Sequence, residues 1–425
     1  MTIIRTLSIV VGCSILATMP FAANINPAFA IDVPGTKSFA DVASRVRNSV
    51  VTVAAAVIDR QAFADRRAWG RGAEEGNTGS GEGSQSFDFS PSRPKRKPGE
   101  PLRQFTSIGS GFIIDPTGLI VTNNHVIEGG NAIYVILADK TELKVDKILG
   151  RDPKTDLTLL KVTPKPSKPL TSVSFGDSAR MRVGDWVLAI GNPFGLDGTV
   201  TAGILSGIGR DINAGPYDDF LQTDAAINRG NSGGPLFNAD GEVIGVNTAI
   251  FSPSGGSIGL GFAIPSNTAR RIIEQLQRYG ETRWGWIGVR LQTPSDDLAA
   301  GLNLPSAEGA IVARIDKGAP ADKAGLMEGD LILSFAGLPV KHARQLPRFI
   351  ARAPVGEDAE IVILRGGERK TLKVKVGKLE EAPGAGVTAG PQGRAKRKTS
   401  FQTPAGEAEI FAAADGIEDA PITDR

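Results

Sequence analysis

A serine surrounded by glycines is the part of this sequence whose residue types most directly suggest chemistry. Residues 230–236 read Gly-Asn-Ser-Gly-Gly-Pro-Leu, with Ser232 as the third residue. A serine hydroxyl is a weak nucleophile at neutral pH, so it needs a base and donors that stabilise the oxyanion formed at an attacked carbonyl. Glycines allow a tight turn in which the N–H groups of Gly230 and Ser232 point into one small space. A plain Gly-Ser turn between strands is the alternative.

The chain offers only two histidines as the base, His125 and His342. His125 follows the apolar runs 111–114 and 119–121, which the turn residues Asp-Pro-Thr-Gly separate, so it lies just after a predicted hairpin. A lone histidine is most often satisfied by a neighbouring carbonyl group. His125 is nevertheless the preferred base, because a suitable carboxylate follows it in the chain.

That carboxylate must fix the tautomer of the imidazole. Asp156 opens the alternating run 156–162, which predicts a strand. Asp152 precedes a proline and is more typical of a turn. We therefore predict a triad of Ser232 as nucleophile, His125 as general base and acid, and Asp156 as the orienting carboxylate. Their order along the chain is that of chymotrypsin-like enzymes.

Residues 230–234 also fit the G-x-S-x-G pattern of the nucleophile elbow in α/β-hydrolases. That fold places its histidine after the serine, which would require His342. It also alternates strands with helices, whereas the sequence around Ser232 predicts strand after strand separated by glycine turns. Both requirements fail, so the elbow is rejected.

Several stretches resemble the Deg/HtrA family of serine proteases, and the resemblance covers about residues 38–378. They are residues 122–126, 155–161, 191–195, 222–236 and 259–265. The resemblance implies an all-β, chymotrypsin-like double β-barrel domain followed by a small β-rich α+β PDZ domain. It also implies an ATP-independent endoprotease of the cell envelope that degrades unfolded chains, often with chaperone activity. The alternative is a protease-fold holdase that binds unfolded chains without cleaving them.

The resemblance also predicts the walls of a specificity pocket, Ile227, Phe251 and Leu260, which are apolar and fairly bulky. Ala226 stands six residues before Ser232, where trypsin-like enzymes have an aspartate. A buried Arg or Lys of the substrate would therefore lack a partner. We expect cleavage after Val, Ala, Ile or Thr, residues that folded proteins normally bury.

The first 30 residues predict a cleaved signal peptide and a periplasmic location. Arg5 provides the basic start, residues 7–22 an apolar segment that is short for a membrane span, and Ala28-Phe29-Ala30 an A-x-A cleavage site. An uncleaved anchor is the alternative. We expect no stable membrane insertion of the mature protein.

Composition excludes several other classes. Cys13 is the only cysteine and lies in the predicted signal, so disulfides and a Cys/His zinc site are not expected, and no cofactor or metal is predicted. The 48 Lys and Arg residues nearly balance the 46 Asp and Glu residues, for a formal net charge of +2. Bulk charge therefore gives no reason to expect nucleic acid as a partner.

The protease domain is predicted at residues 31–280. It begins with a helix at 39–46 and a strand at 50–57, and it ends with a helix at 267–279 that Ser266 and Gly280 can cap. Between them, short apolar runs over 108–264 favour a sandwich or a pair of barrels. Residues 58–104 are rich in Gly, Ser, Glu and Pro and predict a long flexible loop; a nucleic-acid or lipid tether is the alternative.

Residues 281–378 resemble a PDZ domain of the protease-associated kind. The segment Gly285, Trp286, Ile287 and Gly288 would hold the carboxylate of a peptide C-terminus, and the next strand would pair with the peptide. A domain used only for packing is the alternative. Arg210 occupies a place resembling the family's sensor loop, so we expect C-terminal hydrophobic peptides to raise the rate.

Residues 379–425 are polar and too short for a second PDZ domain, and they predict a disordered tail. The missing second PDZ domain argues against large cages, while a trimer-based homo-oligomer remains the family expectation.

Overall fold

The computed structural model describes residues 38–58, 103–166, 168–192, 198–212, 214–215, 217–252, 256–295, 308–379, 400–403 and 406–412. The predicted signal peptide and residues 59–102 of the predicted loop lie outside the described residues. The first strand extends to Ile58 and the second begins at Arg103, so the two ends of the predicted 58–104 loop are strand residues.

A seven-stranded antiparallel sheet follows the first helix, α1 (Ala40–Val46). Apolar residues from its strands form one buried cluster, which includes Val51, Ile113 and Leu160. Its strands, paired in the order β5-β4-β1-β2-β3-β7-β6, are β1 (Val50–Ile58), β2 (Arg103–Asp115), β3 (Leu119–Asn123), β4 (Ala132–Ile136), β5 (Glu142–Lys144), β6 (Lys147–Asp152) and β7 (Leu157–Lys161).

The second sheet closes on itself, because its first strand in the order β11-β8-β9-β10-β13-β12 also pairs with its sixth. Leu205, Leu221 and Ile250 belong to the apolar cluster that fills it. The mainly β fold predicted from the short apolar runs is confirmed. These strands are β8 (Trp186–Gly191), β9 (Thr199–Arg210), β10 (Phe220–Thr223), β11 (Pro235–Asn238), β12 (Val243–Ser252) and β13 (Gly261–Pro265).

Helix α2 (Ser266–Tyr279) ends this part of the chain and buries Ala269, Ile272, Ile273 and Leu276 on one face. Gly280 ends it in a left-handed conformation, with φ of 73°, as the sequence predicts. The predicted N-cap is wrong. The side chain of Ser266 donates to the carbonyl of Gly176 at 2.8 Å and accepts from the N–H of Ser178 at 3.1 Å, so it ties the helix to an adjacent loop.

The described residues between 285 and 378 form a six-stranded sheet, a two-stranded sheet of β14 and β21, and two helices, which pack around a single apolar cluster. Strand β15 is at the edge of the sheet order β15-β16-β17-β19-β20. The elements are β14 (Gly285–Trp286), β15 (Val289–Gln292), β16 (Ala310–Ile315), α3 (Pro320–Lys323), β17 (Leu331–Phe335), β18 (Leu338–Pro339), α4 (Gln345–Arg352), β19 (Asp358–Arg365), β20 (Glu368–Lys375) and β21 (Gly377–Lys378). No helix in the described parts of the chain is long and apolar enough to cross a bilayer.

Two strands occur where the sequence predicts a disordered tail. They are β22 (Ser400–Thr403) and β23 (Gly406–Ala412), which pair as a hairpin and join the second sheet at β12. The prediction of disorder rested on the polar composition of this segment. Composition does not reveal pairing with the edge of β12, because such pairing needs backbone N–H and C=O groups rather than many apolar residues.

Candidate active site

His125 begins a single 3-10 turn directly after β3, and this turn brings it to Asp156. Its backbone N–H donates to Oδ1 of Asp156 at 2.9 Å, and its ring Nδ1 lies 2.6 Å from Oδ2. An ionised carboxylate only accepts hydrogen bonds, so Nδ1 carries the proton in the neutral ring. Nε2 is then the basic nitrogen, which is the tautomer that a general base requires.

Hydrogen bonds to both its side chain and its backbone hold Asp156 in place. It has a left-handed φ of 59°, a conformation that Asp and Asn tolerate better than other side-chain-bearing residues. The hydroxyl of Thr248 donates to Oδ2 at 2.8 Å, and the backbone carbonyl of Asp156 accepts from the N–H of Asn124 at 3.1 Å. Asp156 therefore lies just before β7, in a turn that fixes its carboxylate against the imidazole.

Asp152 has a different place from the predicted turn. It ends β6, is 1% exposed, and accepts from the hydroxyl of Thr282 at 2.9 Å and the indole N–H of Trp284 at 3.2 Å. Thr282 and Trp284 belong to the segment that joins the two domains. Asp152 thus anchors the domain linker and does not compete with Asp156 for the imidazole.

Ser232 is fully buried, and its hydroxyl donates to the carbonyl of Thr248 at 3.2 Å. A hydroxyl has one proton. That proton must turn away from Thr248 before His125 can accept it. The other histidine, His342, lies in the turn before α4, where its carbonyl accepts from the N–H of Gln345 at 2.9 Å.

The loop that would form the oxyanion hole is fixed by its own backbone. The N–H of Asn231 donates to the backbone carbonyl of Asn228 at 3.0 Å, and the N–H of Gly234 donates to the backbone carbonyl of Asn231 at 3.0 Å. Since the N–H and C=O of one trans peptide point in opposite directions, the second bond turns the N–H of Ser232 away from Gly234. Gly230 has a φ of 95°, which only glycine adopts without strain. The orientation of the Ser232 N–H fits its predicted role, and the role of the Gly230 N–H stays a prediction.

Ser110 on β2 is a site residue that the sequence reasoning missed. Its N–H donates to the carbonyl of Ser232 at 2.8 Å, and its hydroxyl donates to the carbonyl of Gly230 at 2.6 Å. The same hydroxyl accepts from the N–H of Asn192 at 2.8 Å. A Cβ on the preceding residue, Gly109, would lie 3.0 Å from the carbonyl oxygen of Ser232, so β2 approaches the oxyanion loop closely at this point.

We expect Ser110→Ala to lower kcat by about tenfold to a hundredfold with little change in KM. The carbonyl of Gly230 would lose its partner, so the oxyanion loop would lose a constraint; loss of a whole oxyanion donor, about 10²–10³-fold, is the upper bound. Ser107→Ala is the matched control. Ser107 is on the same strand, is 9% exposed, and has no hydrogen-bond partner for its hydroxyl among the described residues. Steady-state kinetics of both variants test this, and equal kcat values would contradict a positioning role for Ser110.

The three predicted pocket residues lie in β12, next to β13 and in the segment before the oxyanion loop. The N–H of Phe251 donates to the carbonyl of Leu260 at 3.0 Å. Ile227 is fully buried, and its Cδ1 lies 2.8 Å from where a Cβ on Gly261 would be. Ala226 is partly buried, and its carbonyl accepts from Thr201 at 2.9 Å. The specificity pocket stays a prediction, to which Ala226 brings no carboxylate.

Comparison with known proteins shows which families the two domains match. A family model described as a trypsin-like peptidase domain matches residues 109–246, and one described as a PDZ domain matches residues 285–376. The chain is 42% identical over 416 residues to "Probable periplasmic serine endoprotease DegP-like" of Rhizobium meliloti, covering 92% of this chain and 82% of that protein. The chain belongs to the HtrA family of serine endoproteases.

Two further comparisons describe this HtrA protease. A protein of the same name from Brucella suis is 51% identical over 276 residues, which cover 65% of this chain and 53% of that protein. The chain thus spans about half the length of that relative. The solved structure "HtrA-type protease AlgW with decapeptide" matches with a TM-score of 0.63 and 36% identity, over 81% of this chain and all of that one. The predicted combination of a trypsin-like protease domain and a PDZ domain is confirmed.

The predicted carboxylate-binding segment of the PDZ domain lies between β21 and α4. Gly285 and Trp286 pair with β21, and a Cβ on Gly285 would lie 2.1 Å from the carbonyl oxygen of Ile350 in α4. Ile287 is 1% exposed, and Gly288 has a φ of 75°. The segment is therefore closely packed and leads into the edge strand β15.

The PDZ domain of this HtrA protease contacts the loop between β9 and β10, residues 211–219. Arg210, the predicted sensor residue, ends β9 and donates to the side chain of Gln222 at 2.8 Å. The interdomain contacts are made by residues that the sequence reasoning did not single out. Arg344, Arg348 and Arg352 are spaced by four residues at and along α4, and they pair with Asp211, Asp219 and Asp219 respectively. That spacing, which puts the arginines on one helix face, was a signal in the sequence.

Asp218 in the same loop is nearly buried, and burial raises the pKa of its carboxyl to about 6, although N–H groups of Ile212 and Ala214 donate to it. The pKa of Asp218 is thus higher in the folded than in the unfolded protein. Relative stability is therefore greatest when the pH is below the unfolded pKa, and it is lost as the pH rises through about 6. We expect the wild type to lose about 2–3 kcal/mol relative to Asp218→Asn between about pH 4 and about pH 8. Urea unfolding of both proteins measures this difference. A difference that does not change with pH would contradict the assignment.

Proposed function

We propose that this protein is an ATP-independent endoprotease that hydrolyses peptide bonds in unfolded proteins of the periplasm. The contact of 2.6 Å between His125 Nδ1 and Asp156 Oδ2, with Ser232 on the adjoining loop, is the observation that carries the proposal. Two relatives named periplasmic proteases support the location. A cleaved signal peptide at residues 1–30 would deliver the chain there.

In the proposed reaction, Nε2 of His125 takes the proton of Ser232 as its Oγ attacks the substrate carbonyl. The N–H groups of Gly230 and Ser232 bind the oxyanion. The imidazolium, stabilised by Asp156, gives its proton to the leaving amine, and an ester remains on Ser232. Water, deprotonated by His125, then attacks this ester and releases the acid and the free serine.

The apolar side chains of Ile227, Phe251 and Leu260, with no carboxylate at Ala226, support a preference for Val, Ala, Ile or Thr before the cleaved bond. Such a pocket discriminates by only about 1–3 kcal/mol per methylene, so the preference is graded. Val, Ile and Ala are often buried in folded proteins, and this preference therefore favours unfolded substrates.

Digestion of one protein in its folded form and in a reduced, unfolded form tests the function. We expect cleavage of the unfolded form alone, with mass spectrometry finding cuts chiefly after small or β-branched residues. An organophosphorus probe should label Ser232, since it reports an activated serine without needing a substrate. Cuts chiefly after Arg, Lys, Phe or Tyr would contradict the pocket. Binding of the unfolded protein with neither cleavage nor labelling would favour a holdase.

We further propose that C-terminal peptides bind along β15 of the PDZ domain and raise the rate through the loop 211–219. This loop leads through β10 to Ile227 and the oxyanion loop, and Arg348, only 12% exposed, pairs with Asp219 in it. An assembly based on trimers is the corresponding expectation for the oligomer.

We expect Arg348→Ala to reduce the activation by a C-terminal hydrophobic peptide by about fivefold or more, because a coupling between sites is typically about 1–3 kcal/mol. The exposed Arg314 on β16 offers a control, Arg314→Ala, which should keep the activation. Initial rates with increasing peptide measure this, and peptide affinity is checked separately by fluorescence anisotropy. Full activation of Arg348→Ala would exclude this route.

A further inference from the structure

A strand from the C-terminal part of the chain pairs with the edge of β12 beside Ser232, although the proposed reaction does not require it. On one side β12 pairs with β13 through residues 245–250. On the other side it pairs with β11 only through residues 243–246, because the chain before β11 is the oxyanion loop. The remaining stretch on that side, residues 249–252, pairs with residues 409–412 of β23. We call residues 406–412 the tail strand.

The direction of the tail strand brings it toward the nucleophile. The pairs run from Ser252 with Glu409 to Ala249 with Ala412, so the tail strand approaches Thr248 as it proceeds. Thr248 is the β12 residue whose carbonyl accepts from Ser232 Oγ at 3.2 Å. An extended chain on this edge therefore runs toward Ser232 in its N-to-C direction. A substrate bound in the same way would place the residues before its cleaved bond along β12.

The register also fixes which backbone groups of the tail strand face β12. The N–H of Phe251 donates to Leu260, so Phe251 faces β13 and the alternate residues Ile250 and Ser252 face the tail strand. Their partner residues Phe411 and Glu409 thus turn their N–H and C=O groups toward β12. The N–H of Ile410 points the other way, beyond Ser400, which pairs with Glu409 at the start of β22.

We propose that the tail strand is an internal ligand of the substrate-binding edge of β12. A substrate and the tail strand then compete for the same backbone groups of Ile250 and Ser252. This inference rests on the proposed function. Residues 412–414 are all alanine, which is the small side-chain class that the pocket is proposed to accept. Because the tail strand belongs to the same chain as β12, its effective concentration at the edge is roughly of millimolar order, and even a weakly pairing segment occupies the edge.

Two proline variants of the full chain separate pairing with β12 from other effects. Phe411→Pro removes an N–H that faces β12, whereas Ile410→Pro removes the neighbouring N–H that faces away from it. We expect Phe411→Pro to lower KM for an unfolded protein by about threefold to tenfold with kcat unchanged, since it removes a competitor at roughly millimolar effective concentration. Ile410→Pro should keep the wild-type KM. Equal KM values for the wild type and Phe411→Pro would overturn the proposal.

A second measurement needs no catalysis, so it distinguishes failure of this inference from failure of the proposed protease activity. In a Ser232→Ala background, hydrogen–deuterium exchange should show the amides of Ile250 and Ser252 protected with the native tail and with Ile410→Pro. Phe411→Pro should make them exchange. A synthetic peptide of residues 406–415, added to Phe411→Pro, should restore the protection of these amides. The same peptide N-methylated at Ile410 should also restore it, and the peptide N-methylated at Phe411 should not. Exchange that is the same in all variants would refute the pairing.

Discussion

Ser232→Ala is expected to lower kcat/KM for an unfolded protein by about 10⁴–10⁶-fold, because both covalent steps of the proposed reaction use this oxygen. The fold should survive the change. The hydroxyl makes one hydrogen bond, to the carbonyl of Thr248, and a typical bond of this kind contributes about 0.5–1.5 kcal/mol. Residual hydrolysis should come from the oxyanion N–H groups and from binding alone.

Initial rates with a fluorogenic peptide measure this loss, and thermal unfolding shows that the variant is folded. The wild type should react with the organophosphorus probe and Ser232→Ala should not. Ser107→Ala, which removes another buried hydroxyl, should keep both turnover and labelling. Turnover by Ser232→Ala within tenfold of the wild type would remove Ser232 from the mechanism.

The proposed triad could be named from the sequence because few residues could fill its roles. Only two histidines exist, and only His125 precedes Ser232. The glycines around Ser232 reveal a tight backbone turn, and the alternating run after Asp156 reveals a strand. These are local signals. In the structure His125 contacts Asp156, and Thr248 hydrogen-bonds to both Asp156 and Ser232.

The supporting residues could not be predicted, because their roles depend on contacts between distant parts of the chain. Ser110 acts on a carbonyl 120 positions away, and Thr248 acts on a carboxylate 92 positions away. A serine or threonine in a strand has no sequence feature that names such a partner. Pairing of the tail strand with β12 likewise depends on backbone groups, which every residue carries.

The interdomain contacts lie between these two cases. The spacing of Arg344, Arg348 and Arg352 predicts one basic face, but the sequence does not say which acidic loop it meets. For Asp152 the sequence pattern led to a wrong prediction. Its position before a proline is typical of a turn, yet its side chain is buried against the domain linker because Thr282 and Trp284 supply its hydrogen bonds.

Asp156→Asn is expected to lower kcat/KM by about 10⁴-fold at neutral pH, although asparagine fits the same space. Both carboxylate oxygens accept from donors, with the N–H of His125 at 2.9 Å from Oδ1 and the hydroxyl of Thr248 at 2.8 Å from Oδ2. An amide has one oxygen and one NH₂ group. The backbone N–H of His125 cannot become an acceptor, so the amide oxygen must face it.

The NH₂ group then faces Nδ1 of His125, which must accept, and the ring proton moves to Nε2. The hydroxyl of Thr248 can rotate to accept as well, so nothing opposes this arrangement. His125 would be held in the tautomer that cannot take the proton of Ser232. Because asparagine also tolerates the left-handed φ of 59° at this position, the variant should fold.

Kinetics and ¹⁵N chemical shifts of the imidazole test the two halves of this prediction separately. In the wild type the shifts should report a proton on Nδ1, and in Asp156→Asn a proton on Nε2. Asp152→Asn is the matched control, since it neutralises a buried carboxylate that bonds to the linker and not to His125. It should lower stability while folded protein keeps its kcat and the wild-type tautomer. A loss of less than tenfold in Asp156→Asn, or a proton that stays on Nδ1, would show that Asp156 does not control the base.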